Sequence, residues 1–95
     1  MGETNKISQH EALCKEMHEL YIRKNQAYGD SFSKTYESLG IVSAVTRISD
    51  KYNRLVNLVM NPDIPVGDES VRDTLMDLAN YCFLTLVEIQ NHSEK

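Results

Sequence analysis

Ile41-Val42-Ser43-Ala44-Val45-Thr46-Arg47-Ile48-Ser49-Asp50-Lys51-Tyr52-Asn53-Arg54-Leu55-Val56-Asn57-Leu58-Val59-Met60 is the stretch that decides the fold class. Val45, Ile48, Tyr52, Leu55 and Val59 recur at steps of three and four, the seam of a helix packed along its length on another. No residue inside the stretch breaks a helix. Asn61-Pro62 ends it, because proline disfavours the helical conformation in the residue before it.

Working outward, Asp68 is a good N-cap for a last helix. Its main apolar stripe is Val71, Leu75, Leu78, Cys82, Leu86 and Ile89, with Met76, Phe83 and Val87 on a neighbouring face. An apolar surface that wide suits a helix packed on two sides. Towards the N-terminus, Tyr28, Phe32 and Tyr36 are four apart, which predicts a short helical segment closed by Gly40. Ser8-Gln9-His10-Glu11 reads as a capping box opening a first helix. That helix carries Leu13, Met17, Leu20, Tyr21 and Tyr28 on one stripe and ends at Gly29. The expected fold is all-α: three long helices, a short helical segment after the first, and an antiparallel helical hairpin. One domain should span residues 1–95, with polar tails at 1–7 and 91–95.

Composition narrows the function classes. Fourteen acids against ten Lys and Arg give a net charge of -4, which argues against a duplex nucleic-acid binder. No apolar run is long enough for a membrane span, and the polar first residues predict no secretory signal. Lys6 also stands where the myristoylation pattern needs Ser or Thr. Cys14 and Cys82 match no metal or redox spacing, so a reducing, cytoplasmic setting is expected. A chain this short buries only about two thirds of its unfolded surface, and a homodimer or homotetramer would complete the core.

The chemistry concentrates on the last two long helices. Arg47, Lys51 and Arg54 share one face of the earlier helix, and Glu69, Asp73 and Asp77 one face of the later. A tight hairpin about Pro62 would oppose Arg54 to Glu69, Lys51 to Asp73 and Arg47 to Asp77. Asp50 flanks the basic face, and Asn80-Tyr81 continues the acidic one. Three readings fit. The first is a ladder of surface ion pairs contributing about 0–1 kcal/mol each. In the second, Asp50, Glu69, Asp73 and Asp77 hold Mg²⁺ through oxygen. In the third, Arg47, Lys51 and Arg54 contact phosphate directly while the acids orient them. On the first helix Lys24 and Tyr28, four apart, offer a cation and a stacking ring, or a lysine snorkelling over a packed tyrosine. His10, His18 and His92 share no zinc spacing, and His18 near Cys14 lacks the third group of a nucleophilic site.

Three blocks carry a family likeness: Lys24-Asn25-Gln26-Ala27-Tyr28-Gly29-Asp30-Ser31-Phe32, Arg47 to Leu55, and Asp68 to Tyr81. In order and spacing they resemble the nucleotide-modification-associated domain family, found largely in phages and prophages and grouped with MazG-like nucleotide pyrophosphohydrolases. The resemblance implies an all-α oligomer with nucleotide phosphates between helices. It further implies Mg²⁺ on Asp50, Glu69, Asp73 and Asp77, with Lys24, Lys51 and Arg54 near phosphate. The chain departs from the enzymes' pattern. Asp50 stands alone where they carry Glu-x-x-Glu, Glu69 and Asp73 are four apart rather than three, and Ala27 replaces an acid.

The leading expectation is therefore a phage-type protein that sequesters a phosphorylated, cyclic or linear, nucleotide signal of bacterial immunity without turnover. It needs no catalytic residue, metal or cofactor. Arg47, Lys51, Arg54 and Lys24 would contact phosphate, Tyr28 and Phe32 would stack on a base, and Asn80 would read it. The alternative is a Mg²⁺-dependent pyrophosphohydrolase using the four acids, and the third reading is a helical protein-interaction module.

Overall fold

The computed structural model describes the backbone of residues 2–61 and 68–92, and the side chains of 5–61 and 70–92. Its elements are α1 (Gly2–Tyr28), α2 (Ser31–Leu39), α3 (Ile41–Met60) and α4 (Asp68–His92). No strand occurs among the described residues, so the fold is all-α as the periodicity predicts. The chain divides into two compact units, Met1–Asp30 and Ser31–Lys95.

The first unit is α1. The helix does not begin at Ser8: the backbone is already helical at Gly2, since Asn5-Lys6-Ile7 contains nothing that stops a helix. The capping box is thus an interior turn, and the first residues are not an irregular tail. Of the expected stripe, Met17, Leu20 and Tyr21 are half-buried, whereas Leu13 and Tyr28 are exposed. The Cys14 thiol contacts His10 Nδ1 at 3.8 Å, not His18. At the end of α1 the Gly29 amide donates to the Asn25 carbonyl, and Gly29 turns left-handed at φ 59°. Glycine accepts that conformation without the Cβ penalty other residues meet.

The second unit holds α2, α3 and α4 in mutual contact. Gly40, at φ 75°, both receives the end of α2 through its amide and opens α3. Along α3 the covered stripe is Ala44, Ile48, Lys51, Leu55 and Leu58, again at steps of four and three. Ala44 is 0% and Leu58 8% exposed. Val45, Tyr52 and Val59, expected on the seam, are open to solvent. Ile48 and Leu55 belong to both stripes. The choice between the rest falls to small Ala44, which is wholly covered, and to Lys51, which finds a carboxylate on α4.

α4 departs further from expectation. Ser70, Thr74, Asp77, Tyr81, Thr85, Glu88 and His92 follow one another at steps of three and four, and all are buried or half-buried. Of the stripe read as core, Leu75, Cys82, Leu86 and Ile89 are exposed and Val71 and Leu78 half-buried; on the neighbouring face Phe83 and Val87 are exposed and Met76 half-buried. The cations on α3 need oxygen and aromatic partners, and the polar side of α4 supplies them. α4 is helical through Asn91 and His92, so these two residues do not belong to the expected C-terminal tail. Capping by Asp68 lies outside the described side chains.

Leu58→Ala should destabilise the chain by about 2–4 kcal/mol through the cavity it leaves. Val59→Ala, on an exposed position, should stay within about 0.5 kcal/mol. Urea denaturation of both variants checks which stripe faces α4, and equal losses would contradict the observed rotation.

Candidate functional site

A polar seam runs where α2, α3 and α4 meet. Nearest the α3–α4 connection, Arg54 Nε donates to Thr74 Oγ1 at 3.2 Å. The Thr74 hydroxyl passes its own hydrogen to the Ser70 carbonyl at 2.6 Å, which fixes its lone pairs towards Arg54. One turn along, Lys51 Nζ lies 3.3 Å from Asp77 Oδ2, both side chains being about a quarter exposed. At the next level the Arg47 guanidinium sits 5.8 Å from the centre of the Phe32 ring. Phe32 in turn stacks on Tyr81 at 5.9 Å. A cation at that distance from an aromatic face is held by about 0.5–2 kcal/mol. Beyond it, Ser33 Oγ donates to Glu88 Oε1 at 3.1 Å, and His92 Nε2 lies 3.3 Å from the same oxygen. The His92 ring also packs against Tyr36 at 5.3 Å.

These levels fix the register. From Arg54 to Lys51 to Arg47 the steps are three and four, and from Thr74 to Asp77 to Tyr81 they are the same. The hairpin is antiparallel as expected but centred on residue 64, midway between Met60 and Asp68, rather than on Pro62. Moving the centre by two residues slides α4 by four, one helical turn or about 6 Å. Lys51 therefore meets Asp77 instead of Asp73. Arg47 meets aromatic rings instead of Asp77, and Arg54 meets a hydroxyl. The side chain of Glu69, its expected partner, lies outside the described residues. Among the described residues neither Arg47 nor Arg54 is ion-paired to a carboxylate.

The remaining candidates stand as follows. Asp50 and Asp73 are exposed. No three His, Cys, Asp or Glu side chains come together among the described residues. Asp50, Asp73 and Asp77 therefore form no cluster by themselves, and the side chain of Glu69, the fourth acid of the expected Mg²⁺ set, lies outside the described residues. Phe32 is half-buried with its ring taken up by Tyr81 and Arg47, so it supports a cation rather than a base. Asn80 is 7% exposed on the covered side of α4, which withdraws its amide from a surface ligand. Lys24 and Tyr28 are exposed on α1.

Residues 24–89, which take in the whole seam except His92, match the family model of nucleotide modification associated domain 1. The chain belongs to that family. No curated protein and no solved structure matches it. Not anticipated from the sequence is the group formed by Ser33, Tyr36, Glu88 and His92, the last of which lies just beyond the matched residues. Tyr36 and His92 border an open cavity of about 460 Å³ with Glu37 and Gly40. The available signal was the spacing of Glu88 and His92, four apart in line with Asp77 and Tyr81. Lying opposite the apolar stripe, that line reads as a solvated face until α4 is seen to be turned over. No helix is long and apolar enough to cross a membrane among the described residues.

A double-mutant cycle of Lys51→Met with Asp77→Asn should return a coupling of up to about 1 kcal/mol by denaturation, as partly exposed pairs do. The cycle of Lys51→Met with Asp73→Asn should return none. A reversed result would place α4 one turn away from the register seen here.

Proposed function

We propose that this protein holds a phosphorylated nucleotide without turning it over, with Arg47 and Arg54 as the phosphate contacts. The observation that carries this reading is the state of those two guanidiniums. Both project from one face of α3, two turns apart, and among the described residues each is held by a neutral partner, the Phe32 ring or the Thr74 hydroxyl. Arginine offers phosphate a planar fork of donors, and a guanidinium already held in place loses less freedom on binding. Lys51 contributes less, because Asp77 offsets its charge. The family's name, which refers to nucleotide modification, is consistent with a nucleotide ligand.

The setting completes the proposal. Likeness to small helical phage proteins favours a cyclic or linear nucleotide signal of bacterial immunity as the ligand, bound in the host cytoplasm. A second copy of the chain would close the site.

The test is to mix the protein with a panel of linear and cyclic nucleotides and Mg²⁺. Free nucleotide is then read by anion exchange before and after heat denaturation. One nucleotide should disappear and return unchanged, and chelation of Mg²⁺ should not release it. Arg47→Ala and Arg54→Ala should each weaken retention at least tenfold, while Asp77→Asn should change it little. Conversion to monophosphate and pyrophosphate would instead mean hydrolysis. Nucleotides left free and intact would favour a protein-interaction module.

A further inference from the structure

A cavity of about 460 Å³ opens where the end of α2 meets the end of α4, bordered by Tyr36, Glu37, Gly40 and His92. Its volume falls within the range of about 300–1,000 Å³ found for small-molecule clefts. One wall is aromatic: the Tyr36 and His92 rings stand 5.3 Å apart at 31°. That wall is fixed from behind. His92 Nε2 lies 3.3 Å from Glu88 Oε1, and Glu88, only 7% exposed, also receives the Ser33 hydroxyl hydrogen. A ring held in place before a ligand arrives loses little freedom when one stacks on it.

The polar groups at the rim narrow what can enter. Gly40 has none to spare: its amide donates to the Tyr36 carbonyl, and its own carbonyl receives the Ser43 amide and hydroxyl. Among the described residues no lysine or arginine borders the cavity, so a phosphate group gains nothing there. Glu37, exposed on α2, supplies a carboxylate, a group that when ionised only accepts hydrogen bonds. An aromatic wall beside a carboxylate suits a flat ring that presents two N–H groups side by side. Among the common bases guanine does this, with N1–H next to its N2 amino group. Adenine and cytosine set a ring-nitrogen acceptor beside the amino group, and uracil sets its one N–H between two carbonyls. A carboxylate therefore takes two parallel hydrogen bonds from guanine and meets a repelling lone pair on each of the others.

We infer that this cavity takes a guanine base, with Tyr36 and His92 as its stacking wall and Glu37 as the acceptor of N1–H and N2–H. The inference deepens the nucleotide reading and rests on it for the phosphate end. Tyr36 follows Phe32 by about one turn of α2, roughly 6 Å, and Phe32 carries Arg47. A ribose bridges a gap of that order, which lets a base on Tyr36 and a phosphate at Arg47 belong to one guanosine nucleotide.

The full chain is titrated with guanosine, inosine and adenosine 5′-monophosphates while the ring protons of His92 and Tyr36 are followed by NMR. The guanosine nucleotide should shift both rings, because a stacked base adds its own ring current. It should bind at least tenfold more tightly than the inosine nucleotide, which lacks only the N2 amino group. Glu37→Gln should bring that ratio within about twofold, since an amide offers one acceptor where the carboxylate offers two. Glu37 is exposed, so the variant should keep its helical circular dichroism. Unphosphorylated guanosine and inosine separate the two ways of failing. If these nucleosides are discriminated and phosphate adds no affinity, the base site stands and the phosphate reading falls. If the three nucleotides bind alike, or shift neither ring, the base site is overturned and the phosphate reading survives. A guanine preference that persists undiminished in Glu37→Gln overturns the inference too, because another group then reads the base. Nucleotides that do not bind at all overturn both.

Discussion

The placement of α4 against α3 is the constraint from which the rest of the second unit follows. Side chains repeat every helical turn, so sliding α4 by four residues would keep its faces and change every partner. The alternative register would set Lys51 against Asp73 and Arg47 against Asp77, a ladder of ion pairs. Such pairs contribute about 0–1 kcal/mol each at partly exposed positions. The observed register instead gives Glu88, which is 7% exposed, the hydroxyl of Ser33 from α2. Withdrawing that donor from a buried carboxylate costs about 1–3 kcal/mol or more, which outweighs an exposed pair gained elsewhere. The burial of Glu88 thus decides where the cations of α3 come to rest.

Polar groups on that seam are matched rather than merely gathered. Thr74 receives Arg54 and donates to Ser70, Thr85 donates to the Tyr81 carbonyl, and Glu88 is met by Ser33 and His92. Among the described residues no buried side-chain nitrogen or oxygen lacks a hydrogen-bond partner. Matched polar contacts specify an arrangement strongly, yet each adds only about 0.5–1.5 kcal/mol, because water offers nearly equivalent bonds to the unfolded chain. Burying a Leu, Ile or Phe is worth about 1.5–3 kcal/mol, and α4 keeps most of those side chains outside. The inner face of α4 therefore contributes specificity more than stability.

This division explains what could be read from the sequence. The bounds of α3, the short α2 and the turns at Gly29 and Gly40 were legible because they depend on local signals: apolar period, proline and glycine. The start of α1 was not, because a capping box states where a helix can begin and nothing upstream forbade an earlier start. Assigning the apolar stripe of α4 to the core assumes that the helix turns that face to its neighbours, whereas the bonds of Thr74 and Glu88 hold the opposite, polar face inward. The register failed for a related reason. Pro62 marks the end of α3, but the hairpin's centre depends also on where α4 begins. Hence the basic face on α3 was identified correctly while its partners were assigned one turn away. Phe32 and Tyr81 lie 49 positions apart and no local pattern links them, so the aromatic shelf under Arg47 was out of reach.

The shelf matters for how an acidic protein could hold an anion. A net charge of -4 repels a polyanion at distances beyond the Debye length of about 8 Å. Inside that distance the local groups dominate, and there Arg47 rests on a quadrupole and Arg54 on a hydroxyl, neither of which offsets a positive charge. A carboxylate in either place would have positioned the guanidinium equally well and cancelled its field. A small phosphate ester at either arginine keeps most of its charge clear of the acidic surface. A duplex cannot, because its phosphates continue across that surface and each further contact adds repulsion. Neutral partners for the arginines, set in an acidic chain, thus support the proposal of a short phosphorylated ligand rather than nucleic acid.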